Sequence, residues 1–324
     1  MVTAKVARVA LPDHAGQKYG HDLLSGLLEP GTYAVDPGDG RPWRSLQPEP
    51  EEQGGVRLQT YSITGPPDRI GVAPGDVRGT VFIPEQLGGC CCGWDGQYGP
   101  NLACAECGRP VASRIDDCGF WQVVWLEPDA VRPVAVAGPV QRVTGWEELP
   151  STPPVGQRGY WSPQWEAAVA VALAHLLVVS GGERVTVPDG PVAEVFRRAI
   201  DSLLPPGPPE RRLGLAGPGL PATTEIALVP RHPQTGELWP CDAGAVVPLA
   251  ADVWTYLAFH ELRQVYGMPA SVRRDDPPPL LPNSLFRADG RVFVSTLKRL
   301  AARQPWVRRV YDRMTDRPYE DPFW

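Results

Sequence analysis

The segment CCCGWDGQYGPNLACAECGRPVASRIDDC, residues 90–118, contains six of the seven cysteines in this chain of 324 residues. Within it, Cys104 and Cys107 are separated by two residues and are followed at once by Gly108. This spacing is typical of a short turn in which two thiolates and neighbouring backbone N–H groups surround one tetrahedral Zn²⁺. The segment therefore predicts a metal centre in the first half of the chain.

Four cysteines are the predicted ligands of this centre, because structural zinc is four-coordinate. They are Cys92, Cys104, Cys107 and Cys118. Cys92 is preferred because a glycine follows it, as one follows Cys107; the alternatives are Cys90 or Cys91 in its place, or a Cys90 and Cys92 pair that releases Cys118. The expected cofactor is one structural Zn²⁺ per chain, with an iron–sulfur cluster or metal-free thiols as the alternatives.

The cysteine pattern resembles a zinc ribbon, in which two cysteine turns at the tips of short strands hold one metal ion. The resemblance covers residues 90–118 only, and the first turn, Cys90-Cys91-Cys92, departs from the two-residue spacing of a ribbon. The resemblance implies a closed, structural site rather than a catalytic one.

Side chains around the cysteines are expected to support the metal centre. Asp116 and Asp117 are of the type that caps backbone N–H groups in a turn or pairs with Arg109 or Arg114. A ribbon has little core of its own, so large aromatic side chains are expected to seal it against the main body of the protein. These aromatic residues are Trp94, Tyr98, Phe120, Trp121 and Trp125.

The two halves of the chain have different patterns, which together predict an α+β fold with a domain at 1–150 and another at 151–324. In the first half, short β-branched runs alternate with Gly, Pro and Asp, which predicts strands around a ribbon-like insert at 88–120. The predicted strands are Val6–Leu11, Thr32–Val35, Val56–Thr64, Gly79–Ile83, Trp121–Leu126 and Val134–Ala137, with Pro110–Ile115 as one arm of a hairpin.

The second half is expected to be mainly helical. Ser162, Pro163 and Gly181 are start and stop signals of a first helix that is apolar on nearly every side and therefore belongs in a core. A second helix is predicted from Pro191 to the prolines at 205 and 206, followed by a Pro/Gly-rich connector at 205–221. Further predicted elements are a strand at Thr223–Val229, a helix at Ala250–Tyr266 and a helical face through Phe293, Leu297 and Leu300 that continues to Gln304.

Composition restricts the classes of partner. The formal net charge is −6, which argues against a general affinity for polyanions. The apolar stretch Val6–Leu11 is too short for a signal peptide, and Ala167–Val179 is too short to span a bilayer, so the expected location is the cytoplasm and no membrane association is expected. Thiols in that reducing compartment more often bind metal than form disulfides.

A local basic surface is predicted near the end of the chain. Between Arg287 and Arg317 there are nine basic and three acidic residues. The candidate partner-binding residues are Arg299, Arg303, Arg308, Arg309 and Arg313. They are expected to meet an acidic protein surface or phosphates, or to form only a solvated helix face.

The function predicted from these features is a zinc-stabilised scaffold or adaptor that binds other proteins and has no catalytic centre. The chain contains no phosphate-binding Gly-rich loop and no nucleophile elbow, and in His260-Glu261-Leu262-Arg263-Gln264 the second histidine of a metalloprotease motif is a glutamine. Two alternatives stay open: a hydrolase whose site is assembled from residues distant in sequence, and a nucleic-acid-binding regulator that uses the arginine-rich helices.

Overall fold

The computed structural model describes residues 1–17, 20–21, 23–37, 68–89, 91–138, 141–155, 160–204, 207, 210–266, 284–301 and 307. For residues 260–266 and 301 the description covers the backbone only. The chain divides into two compact units, Met1–Arg142 and Val143–Trp324. Strands and helices are both present, in agreement with the α+β class.

The first unit is built on a seven-stranded sheet in the order β1-β2-β3-β7-β6-β5-β4. Neighbouring strands are antiparallel except for the parallel pair of β1 and β2. The strands are β1 (Ala7–Arg8), β2 (Thr32–Val35), β3 (Ile70–Val72), β4 (Thr80–Phe82), β5 (Leu102–Cys104), β6 (Pro110–Ile115) and β7 (Val123–Leu126).

Strand β7 explains where the core of this unit lies. All four of its residues are buried, and alternate side chains belong to two different apolar clusters. Val123 and Trp125 join Leu27, Phe120 and Trp121 in one cluster, while Val124 and Leu126 lie in the other. Because successive side chains of a strand point to opposite faces, the sheet is covered on both sides at β7.

Several predicted strands of this unit are confirmed and one is wrong. Thr32–Val35 is a strand over its whole predicted length, and β6 covers the predicted hairpin arm. Val134–Ala137 is irregular, with Val134 and Val136 exposed, and no strand in the described part of the chain pairs with it. Val56–Thr64 lies outside the described residues. The ribbon-like insert at 88–120 supplies two strands of the sheet, β5 and β6, so it is part of the main body of the unit.

The second unit combines helices with a four-stranded parallel sheet in the order β11-β10-β9-β8. Its strands are β8 (Arg184–Thr186), β9 (Glu210–Leu215), β10 (Ile226–Arg231) and β11 (Ala245–Ala250). Its helices are α1 (Pro163–Ser180), α2 (Pro191–Leu203), α3 (Ala251–Tyr266) and α4 (Gly290–Ala301).

Helix α1 is the centre of this unit. It begins after Ser162 and ends at Gly181, which has the left-handed backbone conformation, as its start and stop signals predict. Its length and composition would suit a membrane span, but 67% of it is buried inside the unit. It packs against α2, α4 and β11, which is the role predicted for a helix that is apolar all round.

The parallel sheet is an addition to the helices predicted for the second half, and β9 corrects the prediction of a connector at 205–221. Leu213 of β9 is fully buried, and the strand pairs with both β8 and β10. Pairing on both edges outweighs the Pro/Gly-rich composition, whose effect on the backbone is local. Only one of the six β9 residues, Leu213, is buried, so the strand has no alternating apolar pattern from which its sequence would predict it.

Residues 143–149 belong to the second unit through contacts with the turn after β10. The Nε2 atom of His232 lies 2.9 Å from the carbonyl oxygen of Thr144. The Trp146 ring packs edge-on against His232, with ring centroids 5.0 Å apart. Nδ1 of His232 accepts from the N–H groups of Gln234 and Thr235, so Nε2 carries the proton and donates to Thr144.

Candidate metal centre

Strand β6 separates the cysteines of residues 90–118 into two groups. Cys104 is the last residue of β5 and Cys107 lies in the turn that leads to β6, where the N–H of Gly108 donates to the carbonyl oxygen of Cys104. Cys118 lies beyond the opposite end of β6. A six-residue strand is about 17 Å long from its first residue to its last, so one metal ion cannot bind both groups in this arrangement.

Three thiols and a carboxylate converge at the Cys118 end of β6. The ligand atoms of Cys91, Cys92, Asp117 and Cys118 all lie within 4.8 Å of one another. Cys118 and Asp117 are buried, whereas Cys91 and Cys92 face solvent. We refer to Cys91, Cys92 and Cys118 as the three-thiol cluster.

The thiols of this cluster interact directly. Hydrogen bonding with the Cys91 thiol, burial, and the nearby Cys92 thiol together raise the pKa of Cys118 to about 12. All three causes oppose the charged thiolate of Cys118. A bound metal ion would supply a positive charge that offsets them, and ligand thiols release their protons when a metal binds.

Asp117 organises the backbone that carries the thiols. Its Oδ1 atom accepts from the N–H of Cys92 at 2.9 Å, from the N–H of Cys118 at 2.8 Å and from the Cys92 thiol at 3.3 Å. Burial opposes ionisation of this carboxyl, but the N–H donors of Cys92, Cys118 and Cys91 outweigh it and hold the pKa of Asp117 below its usual value. The carboxylate therefore fixes residues of two loops with one oxygen.

Glycines allow these two loops to approach each other. Trp94 and Asp116 form an antiparallel bridge, in which each N–H donates to the carbonyl oxygen of the other residue, at 3.0 and 2.7 Å. A Cβ atom at Gly93 would overlap the Asp116 carbonyl oxygen, and one at Gly89 would overlap the carbonyl oxygen of Gly93. The loop around Cys92 can reach Asp117 only because these positions have no side chain.

A histidine from the N-terminal segment reaches the same site. The Nδ1 atom of His21 lies 3.7 Å from Sγ of Cys91 and 3.7 Å from Sγ of Cys118. The backbone at Ser25 and Leu27 is held beside the loop that follows Cys118, because Leu27 donates to the carbonyl oxygen of Gln122 and Gln122 donates to that of Ser25. The histidine therefore arrives from a segment 97 residues away from Cys118 along the chain.

Three of the five aromatic side chains that were expected to seal the cysteine region are buried in the core of the sheet: Phe120, Trp121 and Trp125. The prediction is wrong for Tyr98, which is 59% exposed. Trp94 packs against Phe82, with ring centroids 4.7 Å apart, and lies under the Arg114 guanidinium.

Both aspartates act as predicted. Arg114 forms an ion pair with Asp116 at 2.9 Å, and Asp117 caps the N–H groups described above.

The Cys104 and Cys107 turn is a second thiol pair. Hydrogen bonds from the N–H groups of Cys107 and Glu106, and from the Cys107 thiol, lower the pKa of Cys104. These donors favour the thiolate, as in one half of a ribbon site. Within the described residues, no third cysteine, histidine or acidic side chain joins them in a metal-binding group.

The predicted ligands are thus divided between two places. The structure brings Cys92 and Cys118 together and leaves Cys104 and Cys107 at the other end of β6, while Cys90 lies outside the described residues. Cys91, one of the open alternatives, belongs to the cluster. His21 was missed, because a histidine far from the cysteines in sequence carries no spacing signal.

Of the predicted partner-binding arginines, only Arg299 lies in the described residues. It is exposed near the end of α4, where its Nη2 atom donates to Oγ1 of Thr296 at 3.2 Å. The positions of the other four lie outside the described residues: Arg303, Arg308, Arg309 and Arg313.

The donor set fits a soft or borderline divalent cation better than a hard one. Thiolates and imidazole are the ligands that zinc prefers, whereas magnesium and calcium take oxygen donors. No protein-family model, no curated protein and no solved structure matches this chain. The structure itself therefore shows a mixed α and β fold with a group of three thiols and one carboxylate that could hold a metal ion.

Proposed function

We propose that this protein is a cytoplasmic scaffold or adaptor whose first unit is stabilised by one Zn²⁺ in the three-thiol cluster. The observation that carries the proposal is the convergence of three thiols whose backbone is held by the buried Asp117 carboxylate. A divalent cation suits this arrangement, because its positive charge would offset both the crowding of the three sulfur atoms and the burial of Cys118.

The role proposed for the metal is structural. The cluster lies where two loops meet beyond the end of β6, and the residues that follow Cys118 in sequence, Phe120 and Trp121, belong to the core. Structural zinc can contribute on the order of 10 kcal/mol to the folding of the segment that binds it. In this protein that contribution would fix the loops at residues 91–94 and 116–118 against the sheet.

The adaptor part of the proposal is supported by the edge of the same sheet. Among the residues that the structure describes, strand β4 is the last in the sheet order and pairs with β5 alone. Its residues Val81 and Phe82 are 51% and 40% exposed. An exposed apolar edge strand offers unpaired backbone groups to which an extended peptide of a partner protein can add as a further strand.

The alternatives have less support. A cavity of about 140 Å³ in the first unit is smaller than the ~300 Å³ at which ligand pockets begin, and its charged side chain, Arg114, is already paired with Asp116. It therefore offers no observation in favour of a hydrolase. The nucleic-acid alternative depends mainly on arginines outside the described residues and stays a prediction.

Metal analysis of the purified full chain, prepared without chelator, tests the proposal. We expect about one zinc per chain, because clustered thiolates bind zinc tightly at neutral pH. Cys118→Ser should lose the metal, and Cys107→Ser should keep it, because Cys107 lies at the other end of β6. Less than a tenth of an equivalent in the wild type, stoichiometric iron, or full zinc content in Cys118→Ser would refute the proposal.

A DNA and RNA binding assay separates the adaptor from the nucleic-acid regulator. Wild type and Arg308→Glu/Arg309→Glu are compared at about 0.05 and 0.2 M salt, because phosphate contacts weaken steeply as salt rises. We expect weak or no binding by either protein. Submicromolar binding by the wild type at the higher salt, lost on charge reversal with the fold intact, would favour the regulator.

A further inference from the structure

We propose that His21 is the fourth ligand, so that the centre is a Cys₃His site built from Cys91, Cys92, Cys118 and His21, with Asp117 as its positioning residue. The inference rests on the proposed zinc site and adds the ligand set. It also gives the N-terminal segment a role, because the metal would tie that segment to the loop after β6.

The distances to His21 match the edges of a tetrahedral zinc site. With a Zn–S bond of about 2.3 Å and a Zn–N bond of about 2.05 Å, the S···N edge of a regular tetrahedron is about 3.6 Å. Both observed separations, from His21 Nδ1 to Sγ of Cys91 and to Sγ of Cys118, are 3.7 Å. The nitrogen is therefore placed where a shared metal ion would bring it.

Hydrogen bonding alone does not explain this convergence. In a neutral imidazole, each ring nitrogen either carries one proton or offers one lone pair, so Nδ1 can satisfy one thiol. Two sulfur atoms at the same distance from Nδ1 are instead the arrangement expected of three ligand atoms that share one metal ion. His21 and Cys91 are both exposed, so they would close the solvent side of a site whose other wall is buried.

Asp117 is better suited to hold the loops than to bind the metal. Its Oδ1 atom already has three donors, two of them backbone N–H groups. Its Oδ2 atom is buried, has no hydrogen-bond partner among the described residues, and lies against Gly89, where an added Cβ would be 3.1 Å from it. Carboxylates that orient metal ligands from behind are a regular feature of zinc sites.

X-ray absorption of the zinc-loaded wild type tests the ligand set without any substitution. We expect three sulfur ligands and one imidazole nitrogen. Four sulfurs, which would implicate Cys90 in place of His21, would overturn the proposal. Three sulfurs with a carboxylate oxygen would assign the fourth position to Asp117 and would overturn it as well.

Variants of the full chain test the same assignment through zinc affinity and the visible spectrum of the cobalt-substituted protein. His21→Ala should weaken zinc binding at least about 100-fold, whereas His21→Cys should restore binding with a stronger sulfur-to-cobalt band. Leu23→Ala, an exposed neighbour in the same segment, is the matched control and should bind as the wild type does. Asp117→Asn keeps an oxygen acceptor for the two N–H groups and should retain the cobalt spectrum.

The outcomes separate this inference from the proposed function. A folded His21→Ala protein with zinc affinity within threefold of the wild type and an unchanged cobalt spectrum would overturn the ligand assignment alone. In that case Cys118→Ser would still lose the metal, and the structural zinc proposal would stand. If Cys118→Ser keeps its zinc, both proposals fail.

Discussion

Gly93→Ala is the most direct perturbation of the loop that carries Cys91 and Cys92. The added Cβ would overlap the carbonyl oxygen of Asp116 and would lie 2.9 Å from Cα of Asp117. Its neighbours are backbone atoms, so the loop must move away and break both hydrogen bonds of the Trp94–Asp116 bridge. Each lost hydrogen bond costs about 1 kcal/mol, so the loop conformation that can bind the metal becomes less stable by about 2 kcal/mol.

That cost translates directly into metal affinity. Because tenfold in affinity corresponds to about 1.4 kcal/mol, Gly93→Ala should weaken zinc binding at least about 30-fold. Competition with a chromophoric zinc chelator measures the ratio. Gly75→Ala is the matched control, because no heavy atom lies within 4 Å of a Cβ at Gly75. Zinc affinity of a folded Gly93→Ala protein within threefold of the wild type would refute the close-approach argument.

Three further results are expected in the first unit. Arg69→Met should lower the free energy of unfolding of this unit by about 3 kcal/mol, because the Glu127 carboxylate loses the guanidinium that lies 2.9 Å from it. In the same chemical denaturation experiment, Arg132→Met, at an exposed position, should change that free energy by less than about 0.5 kcal/mol. Burial lowers the pKa of His14 from 6.5 to about 4, so between these pH values the unfolded chain binds a proton that the folded chain does not. Up to about 3 kcal/mol of stability should therefore be lost as the pH falls from 6.5 to about 4, and the same acid dependence in His14→Phe would contradict this. Removing the metal with a chelator should speed amide hydrogen exchange in the loops of the three-thiol cluster and leave the exchange rates of β10 unchanged. Equal protection of those loops with and without chelator would count against a structural metal.

Local signals predicted the elements whose conformation is fixed locally. Helix α1 begins and ends where Ser162, Pro163 and Gly181 predict, because helix caps act within one turn of the chain. Strand β2 has its predicted bounds, because its β-branched and aromatic residues favour an extended backbone. Strand β9 lacks such a signal, since its pairing with β8 and β10 depends on residues elsewhere in the chain.

Residue type and clustering alone determined that this protein carries thiols suited to a metal, because thiolate chemistry depends on the side chain and its near neighbours. The choice of ligands depended on the tertiary structure. Strand β6 is rigid and extended, so cysteines close in sequence are held far apart in space, and pairing beside Gln122 brings His21 from a distant segment to Cys91 and Cys118. Spacing along a chain cannot express either effect, because both arise from how a sheet separates and joins its segments.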